Sequence, residues 1–279
     1  MSNTSKKPHL DEKTRRRVDQ LKNNLPQSLL IIGAAGAGAF EVARFIAGSN
    51  LTSIIEPTDN KDALDTEKGI IRVKQIRSLI LQSSSRSSQR RVCIINHADK
   101  MNIQAQNAFL KILEEPASSS HFILVAASQT TLLPTILSRV QKMTLPRLRD
   151  EEVLRLLKKR GISDPRTIAQ ITYLAMGQTQ SIERLATDPG LVELHGQRLK
   201  DAQTLLGGNP LDQLTVINNY STDRSKALEL IASARTIMSH TLDAKPSAEL
   251  VIALSRLADT DRAIRANGNA RLQLMAFVL

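Results

Sequence analysis

Between residues 21 and 146, short runs of β-branched and aliphatic residues alternate with stretches of helical period, and this alternation restricts the fold more than anything else in the chain. The strand-like runs are 28–32 (Ser28-Leu29-Leu30-Ile31-Ile32), 51–55, 91–95, 121–127 and 141–145, each bounded by polar, Gly or Pro residues. Helix-like stretches fall at 40–47, 73–83 and 103–114. Strands joined through helices pair in parallel, because each connection must cross the sheet, and the helices then cover both faces. An α/β core over residues 1–147 follows, with the polar Ser/Arg stretch 83–91 feeding its third strand.

After Pro146 the strand-like runs stop. Residues 150–159 are amphipathic, with Val153, Leu154, Leu156 and Leu157 along one side and an acidic first turn suited to a helix N-terminus. Helix-like stretches at 164–175 and 178–186 complete a small helical unit over 148–188. Asp188-Pro189-Gly190 reads as its boundary. The remainder, 189–279, reads as about four or five helices, broken at Gly207-Gly208-Asn209-Pro210, near Ser221-Thr222, at Lys245-Pro246 and at Asn267-Gly268-Asn269.

Charge narrows the partners. A formal charge of +11 over 279 residues favours a polyanion, nucleic acid first. Aromatic residues make up 3% and Trp is absent, which argues against a base-stacking surface for single strands. The lone Cys93 lies in an apolar run and offers neither a disulfide framework nor a cysteine zinc site. No stretch is apolar enough to span a membrane and the first residues lack an apolar signal core, so a cytoplasmic protein without a membrane partner is expected.

Three constellations carry chemistry. Gly33, Gly36 and Gly38 lie after the first strand with nearly the spacing of a phosphate-binding loop. Ala39 stands where a lysine would reach the β- and γ-phosphates, and Phe40 where a hydroxyl would hold Mg²⁺. A dinucleotide site is a poorer match, because the glycine spacing differs and the acid ending the next strand, Glu56, is followed at once by Pro57. At the end of the third strand, where an ATPase carries an acidic pair, stand Asn96 and His97. Asn carries no charge for a metal, and a structural histidine is the simpler reading of His97. The third constellation is the helix 102–116, with Asn102 as N-cap and Pro116 as stop, followed by Leu132-Leu133-Pro134-Thr135-Ile136-Leu137-Ser138-Arg139. Taken alone, an arginine after such a short helix is solvated or paired with a carboxylate.

The order N-A-x-L-K-x-L-E-E-P over 107–116, then L-L-P-T-I-L-S-R over 132–139, resembles the bacterial clamp-loader branch of the AAA+ ATPases. The likeness begins at Leu25-Pro26-Gln27, passes through Ile70-Ile71-Arg72-Val73-Lys74-Gln75-Ile76-Arg77 and ends in Ile264-Arg265-Ala266-Asn267-Gly268-Asn269-Ala270-Arg271-Leu272. The resemblance implies an AAA+ core over 1–147, a helical lid over 148–188 and a helical collar for oligomerisation over 189–279. Motor members of that family keep the lysine, the hydroxyl and the acidic pair, and this chain is similar to the delta-prime-type members that do not. Ala126-Ala127 and Gln180 also stand where polar and arginine contacts to nucleotide would be implied.

What survives is Ser138-Arg139, and the resemblance makes Arg139 an arginine finger for a neighbouring subunit's ATP. The implied role is a non-catalytic subunit of the DNA polymerase III clamp loader, with no ATPase of its own. Motor and delta subunits would be direct partners, the sliding clamp would be reached through the complex, and primed DNA would be the substrate. Arg72, Lys74 and Arg77, at the start of the Val73 helix, are the implied DNA contacts. Many relatives carry a four-cysteine zinc module in the region of 48–69, which here is short and lacks Cys, so neither zinc nor bound nucleotide is expected. The alternatives are an ATP-binding motor subunit of the same loader, or a nucleotide-independent AAA+ DNA-binding or scaffold protein.

Overall fold

The computed structural model describes residues 8–66, 68–83, 90–115 and 119–278. Most of the Ser/Arg connection and the helix stop at Pro116 lie outside the described residues, as do the first seven residues. Contacts divide the chain into two compact units, Met1–Leu156 with Gly177–Glu183, and Leu157–Met176 with Arg184–Leu279. The stretch 148–188, expected as a lid, is shared between them.

The first unit is the expected parallel α/β core. Its strands are β1 (Ser28–Ile32), β2 (Leu51–Ile55), β3 (Arg91–Ile95), β4 (Ser120–Ala126) and β5 (Gln141–Thr144), in the order β2-β3-β4-β1-β5 and all parallel. The helices are α1 (Glu12–Asn23), α2 (Ala39–Ala47), α3 (Val73–Ser83), α4 (Ile103–Glu114) and the single turn α5 (Pro134–Leu137). β4 begins one residue before the expected strand and stops short of Ala127.

Strand periodicity sorts the core into two layers. Leu30, Cys93, Ile95, Phe122 and Leu124 face α3, α4 and α5, where Ile76, Phe109, Ile112 and Ile136 meet them. Leu29, Ile31, Val92, Ile94, Ile123 and Val125 face the other way, onto Val18 and Leu21 of α1 and Val42 and Ile46 of α2. β1 reads as an unbroken apolar run because both of its faces are covered. Phe109 meets Phe122 edge to face, their ring centroids 5.7 Å apart, and fixes α4 against β4.

α1 is the element that the alternation does not announce. It buries only Thr14, Val18 and Leu21 and is otherwise charged, so its helical stripe is narrow. Asp11 accepts from the Thr14 N–H at 3.0 Å and starts it.

α6 (Asp150–Lys159), α7 (Pro165–Ala175) and α8 (Thr179–Thr187) follow β5. In the second unit lie α9 (Pro189–Gly207), α10 (Pro210–Ser221), α11 (Arg224–Ala244), α12 (Ala248–Arg265) and α13 (Ala270–Val278), and the breaks between them fall at 207–210, 221–222, 245–246 and 267–269 as expected, three at Gly, Pro or Asn and one at Ser221-Thr222. Asp188-Pro189-Gly190 is a helix start: Asp188 caps α9, its carboxylate accepting from the Gly190 and Leu191 N–H groups, with Pro189 in the first turn. The core of this unit gathers on α11, where Ala227, Leu230, Ile231, Ala234 and Met238 are buried.

Candidate functional site

The glycine loop leaves the carboxyl end of β1, an interior strand, which is where open α/β sheets place ligands. The Gly33 N–H donates to Ala126 O of β4 at 3.0 Å, and the Ala37 N–H closes a turn on Ala34 O at 2.9 Å. Gly36 and Gly38 have φ of 83° and 79°, so two of the three glycines supply left-handed backbone. Gly38 caps α2. Ala39 is 7% exposed and packs with Ala37 in the core layer, while Phe40 is half-buried against the same layer. The position of the missing lysine is therefore a packed apolar site.

The first turn of α8 docks on this loop. Gly36 O accepts from the Gln180 N–H at 2.8 Å and from the Ser181 N–H at 3.3 Å, satisfying donors that a helix start leaves unpaired. Gln180 Nε2 donates to Glu41 Oε1 at 2.7 Å. The approach is close: a Cβ at Gly36 would lie 2.2 Å from Ser181 Oγ. Gly177, at φ 69°, lets the chain pass Leu148, whose N–H donates to Gly177 O at 2.8 Å. Gln180 thus braces the core's own helix α2.

Asn96 and His97 end β3. Asn96 is buried and donates from Nδ2 to Glu56 Oε1 at 2.9 Å, tying the end of β3 to the end of β2. Its Oδ1 accepts from the His97 N–H at 3.1 Å. Glu56, the acid weighed for a ribose, is engaged by this strut. His97 sits at φ 53° and turns the chain into Ala98. Burial, reinforced by Lys100, holds its imidazole below the usual 6.5 and favours the neutral ring.

Arg139 follows α5. Its Nη1 donates to Thr135 O at 3.1 Å and stands 3.4 Å from Ser138 Oγ, and its Nη2 donates to Glu114 Oε1 at 3.2 Å. Ser138 Oγ donates to Thr135 O at 3.0 Å. The carboxylate partner of the plainer sequence reading is present, yet the arginine side chain remains 40% exposed. Val140, next in sequence, is buried and anchors the turn.

Sequence reasoning passed over Gln106. It lies inside α4 at 2% exposure, and every polar atom of its side chain is used. Nε2 donates to Met101 O at 3.1 Å and to Thr131 O at 3.0 Å, while Oε1 accepts from the Leu133 N–H at 2.8 Å. Thr131 Oγ1 in turn donates to Asp99 O at 3.0 Å. One buried amide so joins the residue that precedes the α4 cap, the loop after β4 and the segment that carries Arg139. The available signal was a polar residue on the apolar stripe of α4, beside Phe109 and Ala105.

The three cations at the α3 start separate. Arg72 was expected on a basic face, but its guanidinium makes four hydrogen bonds inside the chain, to Thr58 O, Thr58 Oγ1, Asp59 O and Asn60 Oδ1. A half-buried guanidinium with this many acceptors in the chain braces the 57–71 connection. Lys74 is exposed and 3.3 Å from Asp62, and Arg77 is exposed. Among the described residues no group of His, Cys, Asp and Glu side chains could hold a metal ion, and no helix is long and apolar enough to cross a membrane. Burial pushes the Cys93 thiol up to about 11.

Comparison with known proteins agrees with this geometry. Residues 12–149 match the family model described as DNA polymerase III, delta subunit. DNA polymerase III subunit delta' of Haemophilus influenzae is 30% identical over 140 residues, covering 50% of this chain and 40% of that protein. The Bacillus subtilis subunit of the same name is 32% identical over 143 residues, covering 45% of this chain and 43% of that protein. The chain thus matches less than half the length of these relatives. Among solved structures, a DNA polymerase III gamma subunit-related protein of Thermotoga maritima superposes with a TM-score of 0.56 at 21% identity, covering 94% of this chain and 97% of that one. The RuvB Holliday junction branch migration motor of the same organism gives 0.51 at 14% identity, covering 95% of this chain and 87% of that one. At such identities these two establish the fold alone, a parallel α/β core followed by helices. The core of the chain, residues 12–149, is thus similar to the DNA polymerase III delta subunit family and to the delta' subunits named above.

Proposed function

We propose that the chain is a non-hydrolysing, stator-like subunit of the DNA polymerase III clamp loader and that Arg139 acts on ATP held by a neighbouring subunit. The observation that carries this reading is a contrast within one unit. The chain's own loop has a buried Ala39 in place of lysine and α8 bonded to Gly36, whereas Arg139 stands exposed and oriented at the end of α5. Asn96, bonded to Glu56, offers no charge to a metal. A guanidinium placed in trans against a γ-phosphate stabilises the charge that develops during transfer, an effect of about 10³–10⁵ in rate where such fingers act. Ser138 assists by accepting near Nη1 and so directing the fork.

In this reading the chain holds neither nucleotide nor zinc. Motor and delta subunits flank it, the 148–188 and 189–279 segments act as lid and collar, and the assembly delivers the sliding clamp to primed DNA. Lys74 and Arg77 supply phosphate contacts, with Arg72 shaping the loop beneath them.

The test is ATP turnover by the reconstituted loader. Arg139→Ala is expected to lower turnover at least about tenfold, and the isolated chain is expected to show none. Turnover by the isolated chain that a substitution in the 33–38 loop abolishes would overturn the reading, as would a wild-type rate for the Arg139→Ala loader.

A further inference from the structure

We infer that Glu114 is a positioning residue for Arg139, an inference that rests on the trans role proposed above. The two side chains come from different elements. Glu114 is the last residue of α4, and its Oε1 accepts from Arg139 Nη2 at 3.2 Å across 25 positions of sequence. On the other side of the fork, Nη1 is held by Thr135 O at 3.1 Å, within α5. A guanidinium is planar, so restraining both terminal nitrogens sets the orientation of the whole group. The remaining donors of the fork are then presented in one direction, which suits the bidentate geometry of a phosphate.

The pair is exposed, 40% for the arginine side chain and 53% for the glutamate, so it contributes little to folding. Its effect is local. Without Glu114 the arginine is held through Nη1 alone, by Thr135 O and Ser138 Oγ, its Nη2 end samples other orientations, and that freedom must be lost each time it meets a neighbour's γ-phosphate. Because α4 also carries Gln106, which fixes the approach to α5, the arginine's base and its tip are both referred to the same helix.

The complete loader, reconstituted with Glu114→Ala, Glu114→Gln, Arg139→Ala and the Glu114→Ala/Arg139→Ala double variant, tests this through the kcat and KM of ATP turnover. Loss of orientation is expected to lower kcat about 3–10-fold for Glu114→Ala with KM for ATP little changed. Glu114→Gln, whose amide oxygen still accepts from Nη2, is expected to keep most of the rate. The double variant is expected to be no slower than Arg139→Ala alone, because the glutamate acts only through the arginine. A wild-type rate for Arg139→Ala would remove the trans role itself. A slow Arg139→Ala loader beside a normal or faster Glu114→Ala loader would overturn the positioning role while leaving the trans role standing. A rate loss for Glu114→Ala that persists in the double variant, on top of that of Arg139→Ala, would also overturn it.

Discussion

Arg139 Nη2 and Glu114 Oε1 meet at 3.2 Å at the end of α4, the helix whose buried Gln106 fixes the backbone leading to that same arginine. A single rigid element thereby refers an exposed cation to the sheet. Arg139→Lys tests the fork apart from the charge. A lysine has one compact ammonium and cannot span Thr135 O and Glu114 in a fixed plane. The reconstituted loader is expected to lose at least about tenfold in ATP turnover with this variant, as with alanine.

Restoring the missing lysine alone is not expected to restore a nucleotide site. Ala39 is 7% exposed among apolar neighbours, so Ala39→Lys buries a charge or displaces packed side chains. A loss of about 1–3 kcal/mol is expected from denaturant unfolding. Calorimetric titration with Mg-ATP is expected to show no binding, since Asn96 and Gln180 remain committed to Glu56 and Glu41.

Gly36→Ala probes the docking of α8. Gly36 combines φ 83° with an approach that would bring a new Cβ to 2.2 Å from Ser181 Oγ. The left-handed backbone costs about 1 kcal/mol for alanine, and the overlap about 1–3 kcal/mol more. Adding Ser181→Ala is expected to recover part of the second cost and none of the first, as read from unfolding midpoints.

Gln106→Ala leaves Met101 O without its partner in the interior, and Thr131 O and the Leu133 N–H without theirs at part-buried positions. A loss of about 2–4 kcal/mol is expected from denaturant unfolding. Hydrogen exchange of the Leu133 amide is expected to accelerate relative to the β1 amides, because the damage centres on the loop before α5.

His97 sets a pH dependence of known sign. Burial and Lys100 depress its pKa in the folded chain below 6.5, so the unfolded chain takes up the proton more readily. Its contribution to stability is complete above pH 6.5 and is lost as pH falls from there through the folded value. His97→Asn, which also tolerates φ 53°, is expected to flatten this slope in unfolding midpoints measured between pH 7.5 and about 5.5. His195, depressed by burial and by Arg198, leaves a slope of its own in the second unit.

The parallel core was legible in the sequence because burial on both faces leaves an unbroken apolar signature in β1 and most of β3, and β-branched residues bounded by breakers mark the edge strand β2; these strands and α4 lie where Ser28–Ile32, Arg91–Ile95, Leu51–Ile55 and Ile103–Glu114 announced them. The helix breaks were equally legible, since Gly, Pro and Asn, and at 221–223 a Ser-Thr-Asp cap, act on the local backbone. α1 was not, because three buried residues on a charged helix make too narrow a stripe.

Sequence alone also determined that Ala39 and Phe40 bring neither an amine nor a hydroxyl to the loop and that Asn96 and His97 bring no carboxylate to the end of β3, because that is a property of the residue type. Where side chains spend their hydrogen bonds is another matter, since it depends on partners far away in the chain. Only the tertiary structure decided that Arg72 bonds Thr58, Asp59 and Asn60, that Gln180 braces Glu41 across 139 positions, and that Arg139 is held by Glu114. Composition limits which bonds a residue can make, and packing selects among them.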